Sequence, residues 1–250
     1  MAFSCLLVGE PGSGKTTAAC TAPGPIGVID FDNKLHKMEN LKKKLDSKEV
    51  IQIAIDTPLS KYGLRRLSTE KPDQKTVVER PEGYLKFVSA MEALEKSGYV
   101  YNGVKLNTLV VDSYTALQEH LKRLLMAAND KSSMTLPLYG VLLANLEEVN
   151  NTLVRMPINV VVICHQRIDK NELTGTIKYY PFVEGQMSTK IGKEFEEIYY
   201  MQKTVSGIGA TATARYEMMT LGDNMRDCRT SRALPALVEP DFCKIYGIKK

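Results

Sequence analysis

The chain has 250 residues, of which 44% are hydrophobic and 25% are charged, and its formal net charge is +4 at pH 7. This composition excludes a disordered or fibrous protein, and the length suits a single α/β domain with one core. The small positive charge is compatible with a nucleic-acid partner but is far below that of a histone-like protein.

The first predicted element is a buried strand at 3 to 8, FSCLLV. It leads into GEPGSGKTT at 9 to 17, which meets the phosphate-loop pattern G-x-x-x-x-G-K-[ST]. In such a loop the backbone amides and the helix N-terminus bind phosphate, the lysine reaches the β and γ phosphates, and the hydroxyl binds Mg²⁺. The sequence therefore predicts an ATP and Mg²⁺ site formed by Gly9, Glu10, Pro11, Gly12, Ser13, Gly14, Lys15, Thr16 and Thr17.

A second strand is predicted at 26 to 29, IGVI, and a further one at 50 to 55, VIQIAI, beside it. Asp30 and Asp32 follow the second strand and would share one face if the strand continued. Asp32 is the candidate for orienting the attacking water, and the alternative is a solvated acidic turn. The run NLKKKL at 40 to 45 predicts a solvated helix face.

The middle of the chain begins with a proline-containing stretch at 57 to 82, which predicts a mobile surface excursion. Helical spacing of apolar residues follows at 84 to 97, 114 to 126 and 139 to 156. Between the first two of these helices, the run 107 to 111 predicts a buried strand, NTLVV. Strands that alternate with helices in this way predict a doubly wound, mainly parallel sheet with helices on both faces.

Asp112 directly follows the predicted strand at 107 to 111 and is the predicted metal carboxylate, together with the hydroxyl of Thr16. The alternative is that Asp112 only caps the following helix. Ser113 occupies the position where many P-loop ATPases have a glutamate that orients water. The general base must therefore come from elsewhere, or hydrolysis is slow.

The last buried run, 158 to 164, INVVVIC, leads to His165 and Gln166. Both residues are expected beside the γ-phosphate, because ligands of such sheets bind at the carboxyl ends of the strands. For His165 the alternative is an interior group with no contact to ligand. Two late strands are predicted at 197 to 204 and 213 to 221, joined as a hairpin.

Together these features resemble the RecA-like P-loop ATPases, and more closely the small phage ATPases of the single-strand annealing class, the Sak four type. The resemblance covers nearly the whole chain. It depends on the short link from GKTT through APGP to VID, on LVVDS, on VVVICHQ and on RDCRTSRALPALVEPDF. It implies one RecA-like domain, and an oligomer, ring or filament, with ATP between subunits. In such an oligomer Arg229, with Arg232 second, would act on the neighbouring subunit's γ-phosphate; the alternative for Arg229 is a surface ion pair.

The same resemblance places single-stranded DNA at the loop 167 to 193. Basic and aromatic side chains alternate there, a combination that suits phosphates and stacked bases, and the alternative is a plain β-hairpin. The candidate DNA-binding residues are Arg167, Lys170, Lys178, Tyr179, Tyr180 and Lys190. A single-strand-binding protein is a further candidate partner.

Two other functions remain open from the sequence. One is an ATP switch or loader for a helicase or packaging machine, and the other, less favoured, is a small nucleotide kinase. The five scattered cysteines form no C-x-x-C pair and predict reduced thiols, and no apolar run is long enough to span a bilayer. We therefore expect a cytoplasmic protein, in an infected bacterial host if a phage encodes it, with no membrane partner.

Overall fold

A computed structural model describes residues 2–55, 82–208 and 211–247 of the chain. The excursion predicted at 57 to 82 therefore lies outside the described residues, apart from Glu82. In the described ranges the strands are β1 (Ser4–Gly9), β2 (Ile26–Asp30), β3 (Val50–Ala54), β4 (Val100–Tyr101), β5 (Val104–Lys105), β6 (Thr108–Asp112), β7 (Asn159–Lys170), β8 (Ile177–Pro181), β9 (Glu197–Ser206), β10 (Thr213–Met219) and β11 (Leu237–Val238).

One mixed sheet holds every described strand except β4 and β5, which pair with each other. Its order is β11-β10-β9-β1-β7-β6-β2-β3, and β8 pairs with the far end of β7. All neighbours from β9 to β3 are parallel, whereas β8, β10 and β11 pair antiparallel. The predicted placement of β3 beside β2 and the predicted late antiparallel hairpin are confirmed.

The helices cover both faces of this sheet. They are α1 (Lys15–Ala19), α2 (Lys42–Asp46), α3 (Gly83–Lys96), α4 (Tyr114–Ala128), α5 (Leu136–Val154), α6 (Met187–Lys190) and α7 (Phe242–Ile245). Apolar residues of α3, α4 and α5 pack into one core cluster, and those of α1 and α7 into a second. Within the described ranges, no helix has both the length and the apolarity that crossing a bilayer requires.

The first strand, β1, shows why the core strands of the sheet are continuous apolar segments in the sequence. Leu6 and Val8 contribute to one core cluster, and Cys5 and Leu7 contribute to the other. Successive strand residues point to opposite faces, so a strand covered on both sides needs apolar residues at every position. This two-sided core confirms the predicted doubly wound, mainly parallel sheet with helices on both faces.

The strands on either side of β1 extend well beyond its end. Gly9, the last residue of β1, pairs with His165 of β7 and with Met201 of β9. From that level β7 continues to Lys170 and pairs with β8, and β9 continues to Ser206 and pairs with β10. We call these projections the β7–β8 hairpin (166 to 181) and the β9–β10 hairpin (202 to 217). The strand predicted to end at residue 164 is thus longer, and the hairpin alternative for 167 to 193 describes its first part.

Candidate active site

The glycine-rich loop connects the end of β1 to the start of α1, as predicted. Gly12 and Gly14 have φ angles of 75° and 87°, which only glycine adopts without strain. A Cβ on Gly9 would lie 2.8 Å from both the carbonyl oxygen of Met201 and the Oγ of Ser13. The loop is therefore folded tightly against β9, and two of its glycines are required by backbone conformation and one by close packing.

Lys15 is a buried cation at the centre of this loop. Its side chain is 6% exposed, and Nζ donates hydrogen bonds to the carbonyl oxygens of Gly9, at 2.9 Å, and Glu10, at 2.6 Å. Burial lowers the pKa of Lys15 to about 8, although the charge of Asp112 acts in the opposite direction. A bound anion would favour the charged form, so the ammonium group suits a phosphate.

Thr16 and Asp112 meet at the same edge of the sheet. The hydroxyl Oγ1 of Thr16 donates to Oδ2 of Asp112 at 2.6 Å. Burial raises the pKa of Asp112 to about 6, and the charges of Asp30 and Asp32 act in the same direction. A cation beside this carboxylate would lower the pKa again, and oxygen ligands of this kind suit Mg²⁺.

Asp112 does not cap the following helix. The N-cap of α4 is Ser113, whose Oγ accepts a hydrogen bond from the amide of Ala116 at 3.2 Å. The capping alternative for Asp112 is therefore wrong. No group of three or more His, Cys, Asp or Glu side chains in the described ranges could hold a metal ion alone. Mg²⁺ would be held here by Thr16, Asp112 and phosphate oxygens, and it would supply charge neutralisation for the phosphates.

Two further polar atoms at this edge are buried. Within the described residues, neither Oγ of Ser13 nor Nδ1 of His165 has a hydrogen-bond partner. His165 pairs with Gly9 in the sheet, so the imidazole lies next to the phosphate loop. Burial, together with the charge of Lys15, lowers the pKa of His165, so the ring is neutral at pH 7. The phosphate-sensing role of His165 stays a prediction.

Gln166 connects β7 directly to the loop. Its Nε2 donates to Oε1 of Glu10 at 3.0 Å, and Gln166 is the first residue of the β7–β8 hairpin. Gln166 therefore lies beside the phosphate loop, as predicted. Its role in catalysis stays a prediction.

The two aspartates after β2 have different environments. The strand ends at Asp30, which is 4% exposed and accepts hydrogen bonds from the amides of Asp32, Lys34 and Leu35. Asp30 thus shapes the turn. Because the strand does not continue, the expectation that both residues share a strand face is wrong. Asp32 has a half-exposed side chain and forms an ion pair with Lys34 at 2.9 Å.

The candidate arginines lie away from the phosphate loop of their own chain. Arg229 pairs through its backbone with Ile198, near the start of β9. Its Nη2 donates to the carbonyl oxygens of Gly192, at 2.7 Å, and Lys193, at 3.2 Å, and also to that of Phe195. Arg229 is therefore bound by backbone carbonyl oxygens. The surface ion pair, which was the alternative role for Arg229, would have required a carboxylate partner. The guanidinium of Arg232 lies over the ring of Tyr246, 4.0 Å from its centre.

Strand register divides the candidate DNA-binding residues between two faces of the β7–β8 hairpin. Arg167 pairs with Tyr180 and Asp169 pairs with Lys178, so these four share one face. Lys170 pairs with Ile177 and lies on the other face, as does Tyr179. The exposed lysines therefore project from opposite sides of the hairpin.

Three of these candidates are already engaged within the chain. The guanidinium of Arg226 lies 4.3 Å from the ring centre of Tyr179, so one face of that ring is covered. Nη2 of Arg167 donates to Oγ of Ser188 at 3.3 Å. Lys190 lies on α6, 4.0 Å from Glu147 of α5, and the structure does not bring it onto the hairpin.

A residue that the sequence analysis missed lies against the phosphate loop. A Cβ on Gly14 would be 3.1 Å from Cδ1 of Tyr216, which belongs to the β9–β10 hairpin. Lys203, its partner in the hairpin, places Nζ 5.7 Å from the centre of the Tyr216 ring. The register of this hairpin brings Lys203 and Tyr216 to the site. No local sequence motif predicts that register.

Comparisons with known proteins give a family and remote structural likenesses. A family model described as AAA domain matches residues 1–224. No curated protein matches the chain. The identification of a family therefore depends on the model match.

Three solved structures are examples of these remote likenesses. The flagellar accessory protein FlaH from Methanocaldococcus jannaschii has 12% identity and a TM-score of 0.37, over 88% of this chain and 77% of that chain. The KaiC-like protein PH0186 from Pyrococcus horikoshii OT3 has 13% identity and a TM-score of 0.44, over 92% and 82%. An ATPase from the type III secretion system of pathogenic bacteria has 11% identity and a TM-score of 0.48, over 81% and 52%.

Proposed function

This chain belongs to the AAA domain family and is a P-loop ATPase, and from that premise we propose that it binds single-stranded DNA under the control of ATP. The proposed protein oligomerises on DNA with ATP at the subunit interfaces and promotes annealing or recombination. Bound Mg²⁺ would neutralise charge on the phosphates.

The observation that carries this proposal is the continuity of β7. One strand runs past the end of β1 at His165, contacts the phosphate loop through Gln166, and then forms the exposed β7–β8 hairpin. Lys170 and Lys178 on that hairpin are exposed to solvent. A change of phosphate contacts at the loop would thus be transmitted along β7 to the two exposed lysines of the hairpin.

The chain's own residues account for nucleotide binding in this proposal. Lys15 would contact the β and γ phosphates, and the hydroxyl of Thr16 and the carboxylate of Asp112 would hold the metal. Gln166 would exchange its bond to Glu10 for a contact with the γ-phosphate. Asp32 would accept a proton from the attacking water after release of Lys34.

The test of the DNA step is steady-state ATP hydrolysis with Mg²⁺, with and without a single-stranded oligonucleotide, and with Lys15→Ala as the blank. We expect clear stimulation by DNA in the natural protein. The double variant Lys170→Ala, Lys178→Ala should lose the stimulation, because about two phosphate contacts are removed. The matched control is Lys42→Ala, Lys43→Ala, which removes two exposed lysines from α2. Equal turnover with and without DNA, or equal losses in both double variants, would overturn the DNA assignment.

The oligomer is tested by mixing two inactive variants. If Arg229 acts on the neighbouring subunit's nucleotide, Arg229→Ala removes hydrolysis, and Lys15→Ala subunits can supply the missing arginine. A mixture of the two variants should then recover a substantial part of DNA-stimulated turnover, whereas each alone is inactive. Arg232→Ala serves as the comparison for loss of a nearby cation. No recovery, with ATP binding intact in Arg229→Ala, would contradict action between subunits.

One observation favours a second candidate, the ATP switch. Ser113 serves as the cap of α4, and Asp32 is paired with Lys34, so neither of these two positions offers a free carboxylate to orient a catalytic water. Slow hydrolysis with a long-lived ATP state would follow. A stable ATP complex without affinity for DNA would identify this switch.

A further inference from the structure

Helix α4 lies between the metal carboxylate and the β7–β8 hairpin. It begins at Tyr114, two residues after Asp112. Three polar side chains of α4 bond to the hairpin base or to the segment 182 to 184 that directly follows β8. Their spacing of three and four residues places them in one row along the helix. We call this the polar row of α4, and its members are Thr115, Gln118 and Lys122.

The strand β7 changes its pairing partner beside Thr115. It pairs with β6 as far as Ile163 and with β8 from Gln166 onward, so His165 lies between the two ladders. The amide of His165 donates to Oγ1 of Thr115 at 3.1 Å. A side-chain hydroxyl thus satisfies a backbone amide of β7 at the point where β6 has ended.

The same hydroxyl bonds to the chain that leaves the hairpin. Thr115 is buried, and its Oγ1 donates to the carbonyl oxygen of Phe182 at 3.4 Å. The amide of Phe182 in turn donates to the carbonyl oxygen of His165 at 2.7 Å. The Sγ of Cys164 lies 3.5 Å from Oγ1 and can donate to it. A hydroxyl has one proton and two lone pairs, so these contacts of Thr115 are compatible and use its full capacity.

Gln118 and Lys122 continue the attachment along α4. The Oε1 of Gln118, a residue that is 1% exposed, accepts from the amide of Glu184 at 2.7 Å. The Nζ of Lys122 lies 2.9 Å from Oε1 of Glu184, and both side chains are largely buried. The segment that leaves the hairpin is therefore held by α4, whereas β7 enters the hairpin directly from the sheet.

We propose that the polar row of α4, with Thr115 as its positioning residue, carries changes at the nucleotide site to the β7–β8 hairpin. A nucleotide that binds beside Asp112 and His165 would shift the start of α4 relative to β7. Because the hydroxyl of Thr115 bonds to both β7 and Phe182, that shift would reach the two strands of the hairpin together. The hairpin's role in binding DNA rests on the proposed function, whereas its attachment to α4 does not.

The first test follows the hairpin without DNA. Hydrogen exchange of peptides that cover 166 to 181 is measured in the full chain, with and without ATPγS and Mg²⁺. We expect the nucleotide to change exchange there in the natural protein and in Thr115→Ser, which keeps the hydroxyl. In Thr115→Val the change should fall about fivefold, because the bonds to His165 and Phe182 are lost. A response that persists in Thr115→Val, or no response in the natural protein, would overturn the proposal.

The controls separate this role from a general effect on folding. Thr152→Val removes a threonine hydroxyl that bonds within α5, and it should respond as the natural protein does. ATP binding by each variant is the check of folding. Lys122→Gln removes the ion pair with Glu184 and should reduce the response about twofold, so the proposal remains testable if Thr115→Val folds poorly. An unchanged response in Lys122→Gln would then overturn the proposal.

The second test separates this inference from the DNA assignment. Thr115→Val should keep its turnover without DNA and its KM for ATP within about twofold, but its stimulation by a single-stranded oligonucleotide should fall about fivefold. Thr115→Ser should restore the stimulation. Full stimulation in Thr115→Val would contradict the inference. If DNA does not stimulate the natural protein, the proposed function fails, and the exchange measurement alone decides the role of Thr115.

Discussion

A partly buried and a fully buried carboxylate on one sheet have opposite environments. Asp112 lies at the carboxyl end of β6, where burial raises its pKa to about 6. Glu197 lies at the start of β9, opposite Cys5 of β1, and is 1% exposed. Burial alone would raise the pKa of Glu197, but hydrogen bonds from Ser231, Thr230 and Tyr199 outweigh that effect and hold the pKa below its usual value.

The difference lies in the donors that the chain itself supplies. Glu197 accepts from the hydroxyls of Tyr199, at 2.7 Å, and Ser231, at 2.5 Å, and from the amide of Ser231. Asp112 accepts from the hydroxyl of Thr16 at 2.6 Å, and its neighbours include the acidic Asp30 and Asp32. A carboxylate satisfied by its own chain stabilises the fold, whereas one buried with few donors is ready for a cation.

The largest expected effect on the free energy of unfolding comes from changing Glu197, the carboxylate that accepts several hydrogen bonds from its own chain. Glu197→Gln should lower the free energy of unfolding by about 2–3 kcal/mol, because an amide cannot accept all the hydrogen bonds directed at a carboxylate. The folded pKa of Glu197 is lowered, so the loss should be full at neutral pH and should shrink as the pH falls through that pKa. Urea unfolding at neutral and acidic pH measures both. An unchanged midpoint would mean that the hydrogen bonds at Glu197 contribute nothing net.

Replacing Asp112, the carboxylate at the candidate active site, should change the free energy of unfolding in the opposite direction. Asp112→Asn should raise the free energy of unfolding without nucleotide by about 1–3 kcal/mol at neutral pH. The folded pKa of Asp112 is raised from 3.8 to about 6, so ionisation of the buried group costs stability above that pH and not below about pH 4.

The gain from Asp112→Asn should therefore vanish as the pH falls from about 6 to about 4. The same variant should lose Mg²⁺-dependent ATP binding, which equilibrium dialysis with and without EDTA measures. A variant that is less stable than the natural protein at neutral pH would contradict the comparison of the two carboxylates.

The smallest expected effect concerns two serines. Ser231→Ala removes a donor from Glu197 and should cost about 1 kcal/mol of unfolding free energy. Ser13→Ala removes a buried hydroxyl without a partner in the described part of the chain, and should not lower that free energy, because no hydrogen bond is lost and an uncompensated polar group is removed. Thermal and urea unfolding of the Ser231→Ala and Ser13→Ala variants under the same conditions tests this difference. Equal losses in the two variants would remove the distinction between the regions.

The phosphate loop and the core strands could be predicted from the sequence because their signals are local. Spacing alone gives Gly9, Gly14, Lys15 and Thr16, and a continuous apolar run is enough to identify a strand buried on both faces. The family match over residues 1–224 agrees with a P-loop ATPase. The same local reasoning identified Asp112 as the residue at a strand end.

The remaining features depend on contacts that a local pattern does not contain. The end of β2 at Asp30 is fixed by amides of residues 34 and 35, which lie beyond the apolar run. The continuation of β7 to Lys170 depends on pairing with β8, since its exposed residues lose the apolar pattern. The bond from the amide of His165 to the hydroxyl of Thr115 joins residues that are 50 positions apart, so neither the helix pattern nor the strand pattern contains it.

The two hairpins beside β1 have a consequence for how this family can vary. Both are extensions of parallel core strands, which continue past His165 and Met201, the partners of Gly9, to Lys170 and Ser206. Insertions or deletions at these turns can lengthen or shorten either projection while the phosphate loop is left unchanged. Because cross-strand pairing is set from the core end, adding or removing the same number of residues in each strand at the turn leaves the remaining pairs and their faces unchanged. Relatives of this chain should therefore differ in hairpin length in paired steps.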